Sequence, residues 1–214
     1  MDYLIQTAEY LLGGAWVSTK IFFVTLAFSF PLGIAIAVAA RTKWTLLTKF
    51  IRFYTWLFRG TPLMLQLFFF MYGLPAIGIM VDRMMVAYVG FVLNYAAYFT
   101  EILRAGIEST PKDQFEASAV EGARFLQTYR FVVLPQAIRK ELPTITNEVI
   151  TLIKDTALVT VIAISDILRN VKEVVSRDFT VSPFFLAAAF YLTFSFVIVS
   201  ILRKTEKKYD FLDA

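Results

Sequence analysis

Long uncharged apolar runs set the pattern of this chain. Residues 21–40 form a run of 20 without a charge, and residues 60–81 a run of 22 interrupted by Pro62, Gly73, Pro75 and Gly78. Residues 84–100 give a run of 17 and residues 182–202 a run of 21. A bilayer core about 30 Å thick takes about 20 helical residues at about 1.5 Å each, so each run predicts a membrane-spanning helix. A fifth stretch, residues 142–165, is apolar except for Glu148, Lys154 and Asp155. Its length suits a span and its charges fall near the middle, so it reads as a fifth span with functional charges. The alternative is two short re-entrant or interfacial segments. Ahead of the first run, Tyr3, Leu4, Ala8, Leu11, Leu12 and Ala15 recur at helical spacing. They predict a short amphipathic helix over residues 1–18, lying on the membrane surface. Met1 to Lys20 lacks the basic n-region of a secretory signal. The fold class is an all-α integral membrane protein of five transmembrane helices, one transmembrane domain over residues 1–214.

Composition agrees with this pattern. Of 214 residues, 58% are apolar and only 18% charged, against about 45–50% and about 25% in ordinary soluble domains. That surplus excludes a soluble globular enzyme. The chain has no Cys and no His, which removes thiolate and imidazole metal sites, Cys nucleophiles and a Ser–His relay. No G-x-x-x-x-G-K-[ST] string occurs, so the chain cannot hydrolyse ATP alone. The net charge of +4 does not indicate nucleic-acid binding, because the basic residues flank the apolar runs. With five spans, segments 41–59 and 101–141 and the tail (Arg203, Lys204, Lys207, Lys208) share one side. They hold fifteen basic residues against five on the other side. The asymmetry predicts an outside N-terminus and a cytoplasmic C-terminus.

The sizeable cytoplasmic loop, residues 101–141, carries its own pattern. Phe115, Ala119, Ala123, Leu126 and Tyr129 recur at three- and four-residue steps. Pro111 precedes the first helix, and Gly122 interrupts it, suiting a bend or a close approach of another helix. Pro135 is expected to end or kink the second helix. Two short helices at an angle suit docking on a partner.

Several strings then converge. Glu116-Ala117-Ser118, three residues, Gly122, nine residues, Val132-x-Leu134-Pro135 closely resembles the EAA loop of bacterial ABC importer permeases. Phe58-Arg59-Gly60-Thr61-Pro62-Leu63, the stretch from Asn94 to Ile107, Leu134-Pro135-Gln136-Ala137-Ile138-Arg139 and Lys154-Asp155-Thr156-Ala157-Leu158 narrow the resemblance to the polar amino acid permeases. It covers about residues 14–208. Ser118, Asp113, Val132 and Ala157 depart from the family pattern, and Ala157 removes a possible hydroxyl from the substrate region. The resemblance implies a type I ABC importer permease in the bacterial inner membrane, carrying cystine, glutamine, arginine or histidine-type substrates. It implies that Glu116, Ala117, Gly122, Leu134 and Pro135 belong to a coupling helix seated in a groove of an ATP-binding subunit. It further implies a second permease protomer, expected to be identical, two ATP-binding cassette subunits, and an extracellular or periplasmic amino-acid-binding protein. No cofactor is expected in this chain, ATP and Mg belonging to the ATPase partner.

Ionisable groups inside a bilayer are costly and usually line a pathway or pair with each other. On one helix Glu148, Thr151 and Asp155 share a face, with Asn147 and Lys154 on a neighbouring one. For a zwitterionic amino acid, Glu148 and Asp155 suit the ammonium, and Lys154 or a backbone amide the carboxylate. The alternative is that Lys154 only neutralises a carboxylate. Two acids against one base favour a neutral or cationic amino acid. Thr61 and Pro62 break the second span, which frees backbone groups for substrate. Thr61, Gln66 and Asn94 are further pocket candidates, with helix–helix hydrogen bonding as the alternative for Gln66 and Asn94. Gly33 with Ala37, and Ala35 with Ala39, are expected to pack helices. Two other classes remain open: a stand-alone secondary transporter or channel, and a scaffold subunit that carries no substrate.

Overall fold

The structure is a computed structural model that describes residues 2–210, except for the side chains of residues 2, 4 and 205–210. Leu4 of the N-terminal pattern and Lys207 and Lys208 of the basic tail therefore lie outside the described side chains. Among the described residues every regular element is helical. In chain order these are α1 (Asp2–Ala39), α2 (Thr45–Gly60), α3 (Leu63–Ala76), α4 (Arg83–Glu108), α5 (Lys112–Val120), α6 (125–140), α7 (Leu142–Asp155), α8 (Ile167–Asp178) and α9 (Ser182–Asp210).

α4 is the centre. Its Phe91, Tyr95, Phe99 and Leu103 recur every four residues and are all buried. α1 lies along it as the largest helix–helix contact. At their crossing a side chain on Gly33 would meet Phe99 Cβ at 2.7 Å, so only glycine admits this approach. Ala37 is fully buried, whereas Ala35 is exposed. Of the two small-residue pairs, the one containing Gly33 makes the contact. α9 is peripheral: 6% of its most apolar window is buried, against 61% for α4.

Three sequence expectations change. The surface helix expected over residues 1–18 is the first part of one unbroken 38-residue α1. The apolar repeat there runs on in phase with the span. Its Leu11 and Ala15 are buried with Ile167 and Val171 of α8 and Ala187 of α9, rather than against lipid headgroups. Helical structure begins earlier than the second apolar run. Residues 45–59, basic in sequence, form helix α2, which turns into α3 through 103° at Thr61–Pro62. Pro135 does not end its helix, because α6 continues through Leu134–Lys140.

Pro135 instead follows a π turn at Tyr129–Val133, and Pro75 follows another at Phe69–Gly73. In both places the missing proline N–H is absorbed by locally widening the helix rather than breaking it.

Among the described residues three helices are long and apolar enough to cross a membrane, or four if α2 and α3 count as one bent span. Residues 142–165 fall short because α geometry ends at Asp155. A 3₁₀ run, Thr156–Ile162, follows and closes on Ala163 at φ 60°.

Candidate functional site

The break between α2 and α3 builds the site. Pro62 has no N–H, so the Phe58 carbonyl, four residues earlier, loses its helical donor. Two side-chain amides replace it. Gln66 Nε2 donates to Phe58 O at 2.9 Å and Asn94 Nδ2 donates to the same oxygen at 3.0 Å. Gln66 Nε2 also reaches Thr61 O at 3.1 Å and Thr61 Oγ1 at 2.9 Å. Asn94 Nδ2 donates to Gln66 Oε1 at 3.0 Å, and Thr61 Oγ1 donates to Leu57 O at 2.8 Å. Thr61, Gln66 and Asn94 thus hold the broken backbone. Gln66 points into the protein, while Thr61 and Asn94 also border open space.

That space is a cleft of about 430 Å³, within the range of roughly 300–1,000 Å³ usual for small-molecule sites. Glu148, Thr151 and Asp155 all line it from one face of α7, as their spacing predicts. Asp155 accepts a hydrogen bond from Tyr95 OH at 2.7 Å. Tyr95 is buried and lies parallel to the Phe91 ring, 6.3 Å between centroids. This fixes the Asp155 carboxylate while leaving it acceptor capacity toward the cleft. Lys154 is exposed on a different face of α7. It does not line the cleft and makes no ion pair within 4.0 Å among the described residues. Lys154, a substrate-binding candidate from the sequence, thus lies outside the lining of this cleft.

Three lining residues with polar side chains were not picked out as site candidates from sequence: Arg59, Tyr95 and Tyr98. The Arg59 guanidinium lies 5.4 Å from the Tyr98 ring centroid, a cation–π contact. Its position beside the Gly60–Pro62 break was the available signal, masked because Arg59 counts equally well as a cytoplasmic orientation charge. Tyr95 and Tyr98 sit one and four residues after Asn94, and read as ordinary aromatic filling of a span.

Arg59 and Gly60 also border a second cleft of about 560 Å³, which includes Arg41, Arg52, Glu101, Arg104 and Glu108. A charge ladder runs along it. Arg41 pairs with Glu108 at 3.0 Å, Glu108 with Arg104 at 2.7 Å, and Arg104 with Glu101 at 2.8 Å. Arg59 closes the series 3.7 Å from Glu101.

The loop over residues 109–141 contains two helices, α5 and α6, as expected. Two residues past the end of α5 comes Gly122, whose φ of 73° is left-handed. Gly122 N donates to Ala119 O at 3.0 Å and Ala123 N to Ser118 O at 3.0 Å, the paired bonds of a Schellman cap. Nothing lies within 4 Å of a Cβ placed there, so the glycine serves the turn and not a close approach. Glu116 and Ala117 are exposed, and Glu116 makes no hydrogen bond or ion pair among the described residues. Leu134 and Pro135 are half-buried in α6. The surface of α5 is left open to a partner.

Residues 29–210 match the family described as binding-protein-dependent transport system inner membrane component. The arginine transport system permease protein ArtQ of Bacillus subtilis (strain 168) is 34% identical over 206 residues, 95% of this chain and 94% of that protein. The L-cystine transport system permease protein TcyB of the same organism is 33% identical over 202 residues, 94% of this chain and 86% of that protein. A crystal structure of an amino acid ABC transporter with histidines aligns with a TM-score of 0.85 at 26% identity. It covers 96% of this chain and 97% of that one.

Proposed function

The chain belongs to the binding-protein-dependent transport system inner membrane components, and we propose that it carries a polar L-amino acid through the cleft at the α2–α3 break. It is an amino-acid ABC transporter permease, a multi-pass protein of the inner membrane. The transported amino acid is of the cystine, glutamine, arginine or histidine type. The observation that carries this reading is convergence. Arg59 from α2, Tyr95 from α4 and the Glu148–Thr151–Asp155 face of α7 meet at one cleft beside broken backbone. Opposite charges brought to one cleft from different helices, α2 and α7, suit a zwitterion, with Glu148 and Asp155 taking its ammonium.

Five spans cross the membrane: α1, the α2–α3 bent pair, α4, residues 142–165 and α9. The N-terminus is outside and the C-terminus cytoplasmic, supported by the fifteen-to-five distribution of basic residues. Two protomers form the pathway, as the resemblance to the importer permeases implies. A separate ATP-binding subunit docks on each coupling loop. ATP-driven closure of those subunits moves the two α5 helices together and turns the clefts from inward- to outward-facing. A binding protein delivers the amino acid from outside.

Reconstitution of the permease with its ATPase subunits and binding protein, screened across the amino acids for stimulated ATP hydrolysis, tests the reading. One polar L-amino acid should stimulate hydrolysis. Transport by the purified permease alone would assign it to the secondary transporters instead.

A further inference from the structure

We propose that Arg59 binds the α-carboxylate of the transported amino acid and that Glu101 competes with the substrate for it. This rests on the cleft being the amino-acid site, and adds the specificity-determining residue for the carboxylate end.

The ladder beside the cleft holds three guanidinium groups, Arg41, Arg104 and Arg59, against two carboxylates, Glu108 and Glu101. Within this ladder the cations outnumber the carboxylates by one, and Arg59 holds the longest contact, its charge also acting on Glu148 across the first cleft. Glu101 Oε2 accepts from Arg104 Nε at 2.9 Å and lies 2.8 Å from Arg104 Nη2. Glu108 is shared at 3.0 Å and 2.7 Å by Arg41 and Arg104. Arg59 reaches Glu101 only at 3.7 Å, beyond hydrogen-bond length. Its side chain is 43% exposed, and its guanidinium, which carries five N–H donors, lies 5.4 Å from the Tyr98 ring centroid.

On the cleft side the wall charges are Glu148 and Asp155, which repel a carboxylate, and Arg59 is the cation among the lining residues. Lys154 faces elsewhere. A planar guanidinium takes a carboxylate through two parallel hydrogen bonds, a match an ammonium lacks. The substrate carboxylate thus meets Arg59 while its ammonium end meets the α7 carboxylates. Arg59 also borders the second cleft, so an emptied site lets it fall back toward Glu101.

The test uses the permease with its bound ATPase subunits, purified in detergent without binding protein. The probes are an equimolar mixture of the twenty proteinogenic L-amino acids plus L-cystine, and the mixture of their α-amides, titrated against melting temperature. The acids should raise the melting temperature of the wild type, and the amides should not. Arg59→Gln should weaken the response about tenfold or more, as for a lost charged hydrogen bond. Arg59→Lys should fall between, and Glu101→Gln should strengthen the response up to about fivefold. If Arg59→Gln yields no complex, Glu101→Gln and the amide comparison decide alone. Equal stabilisation by acids and amides, with a response still sensitive to Asp155→Asn, overturns the role of Arg59 and leaves the cleft assigned. No response to either mixture in the wild type overturns the cleft and the inference together.

Discussion

Gln66 Nε2 lies 2.9 Å from the Phe58 carbonyl and donates the hydrogen bond that Pro62 cannot. The break in the second span is thus built by sequence at both ends, one residue removing a donor and another, eight positions on from the acceptor, replacing it. Gln66→Leu should leave Phe58 O to Asn94 alone and cost about 1–3 kcal/mol, the usual loss when a buried polar group loses a partner. A lowered melting temperature in detergent checks it. An unchanged one would mean that Asn94 suffices.

Asp155→Asn keeps the shape of the cleft wall and removes its charge. The Tyr95 hydrogen bond can survive to the amide oxygen, so assembly should be intact while the contact to a substrate ammonium weakens. A charged hydrogen bond contributes about 1.5–3 kcal/mol, so uptake affinity should fall about tenfold or more. Normal uptake kinetics would remove Asp155 from the site.

Lys154 stands exposed beside Asp155 with no ion pair among the described residues. Lys154→Met should therefore change stability by about 0.5 kcal/mol or less, as for an ordinary surface substitution. Thermal unfolding of Lys154→Met and Lys154→Arg compares the two. A large loss confined to Met would restore Lys154 as the counter-charge of a buried carboxylate.

Gly122→Val places a β-branched residue at a φ of 73°, a left-handed conformation costing about 1–2 kcal/mol for such residues. The Schellman cap should loosen and α5 shift, while the spans, remote from it, insert normally. Co-purification of the ATPase subunit should fall, or ATP hydrolysis should proceed without uptake. Full uptake with a normally bound ATPase would separate this loop from coupling.

At the opposite end, Tyr3 OH donates to Asp178 at 2.7 Å and Tyr10 OH to Glu173 at 2.6 Å, tying α1 to α8. Hydrogen bonds from Arg177 and then Tyr3 hold the Asp178 carboxyl down to about 2. A lowered carboxyl stabilises the fold above its ordinary value of about 3.9 and ceases to do so as pH falls through about 2. Hydrogen exchange at residues 3–10, corrected for intrinsic rate, should match at pH 5 and pH 8 and rise in Asp178→Asn. A difference between those two pH values would place another titrating group in the clasp.

Much of this was legible in the sequence because hydropathy and helical spacing are local. The runs at 84–100 and 182–202 fall within α4 and α9, the run at 21–40 lies in α1 but for its last residue, and Glu148, Thr151 and Asp155 share the face their spacing requires. The turn at Gly122 was legible because few residues other than glycine hold a positive φ. What escaped depends on contacts remote in sequence. α1 continues to Asp2 because α8 and α9, over 150 residues away, cover Leu11 and Ala15. Gln66 and Asn94 turn inward because of one missing N–H at Pro62. Arg59 hides among orientation charges until Glu101, 42 positions later, is seen to be already engaged by Arg104.

The central claim is that an amino acid crosses through the cleft formed by Arg59, Glu148 and Asp155, driven by ATP hydrolysed elsewhere. Radiolabelled uptake into proteoliposomes holding permease, ATPase and binding protein tests it most directly, comparing wild type with the Glu148→Gln/Asp155→Asn double variant. The account predicts ATP-dependent uptake of one polar L-amino acid by the wild type, and its loss in the double variant with the ATPase still bound. Uptake without ATP, or undiminished uptake by the double variant, would contradict it.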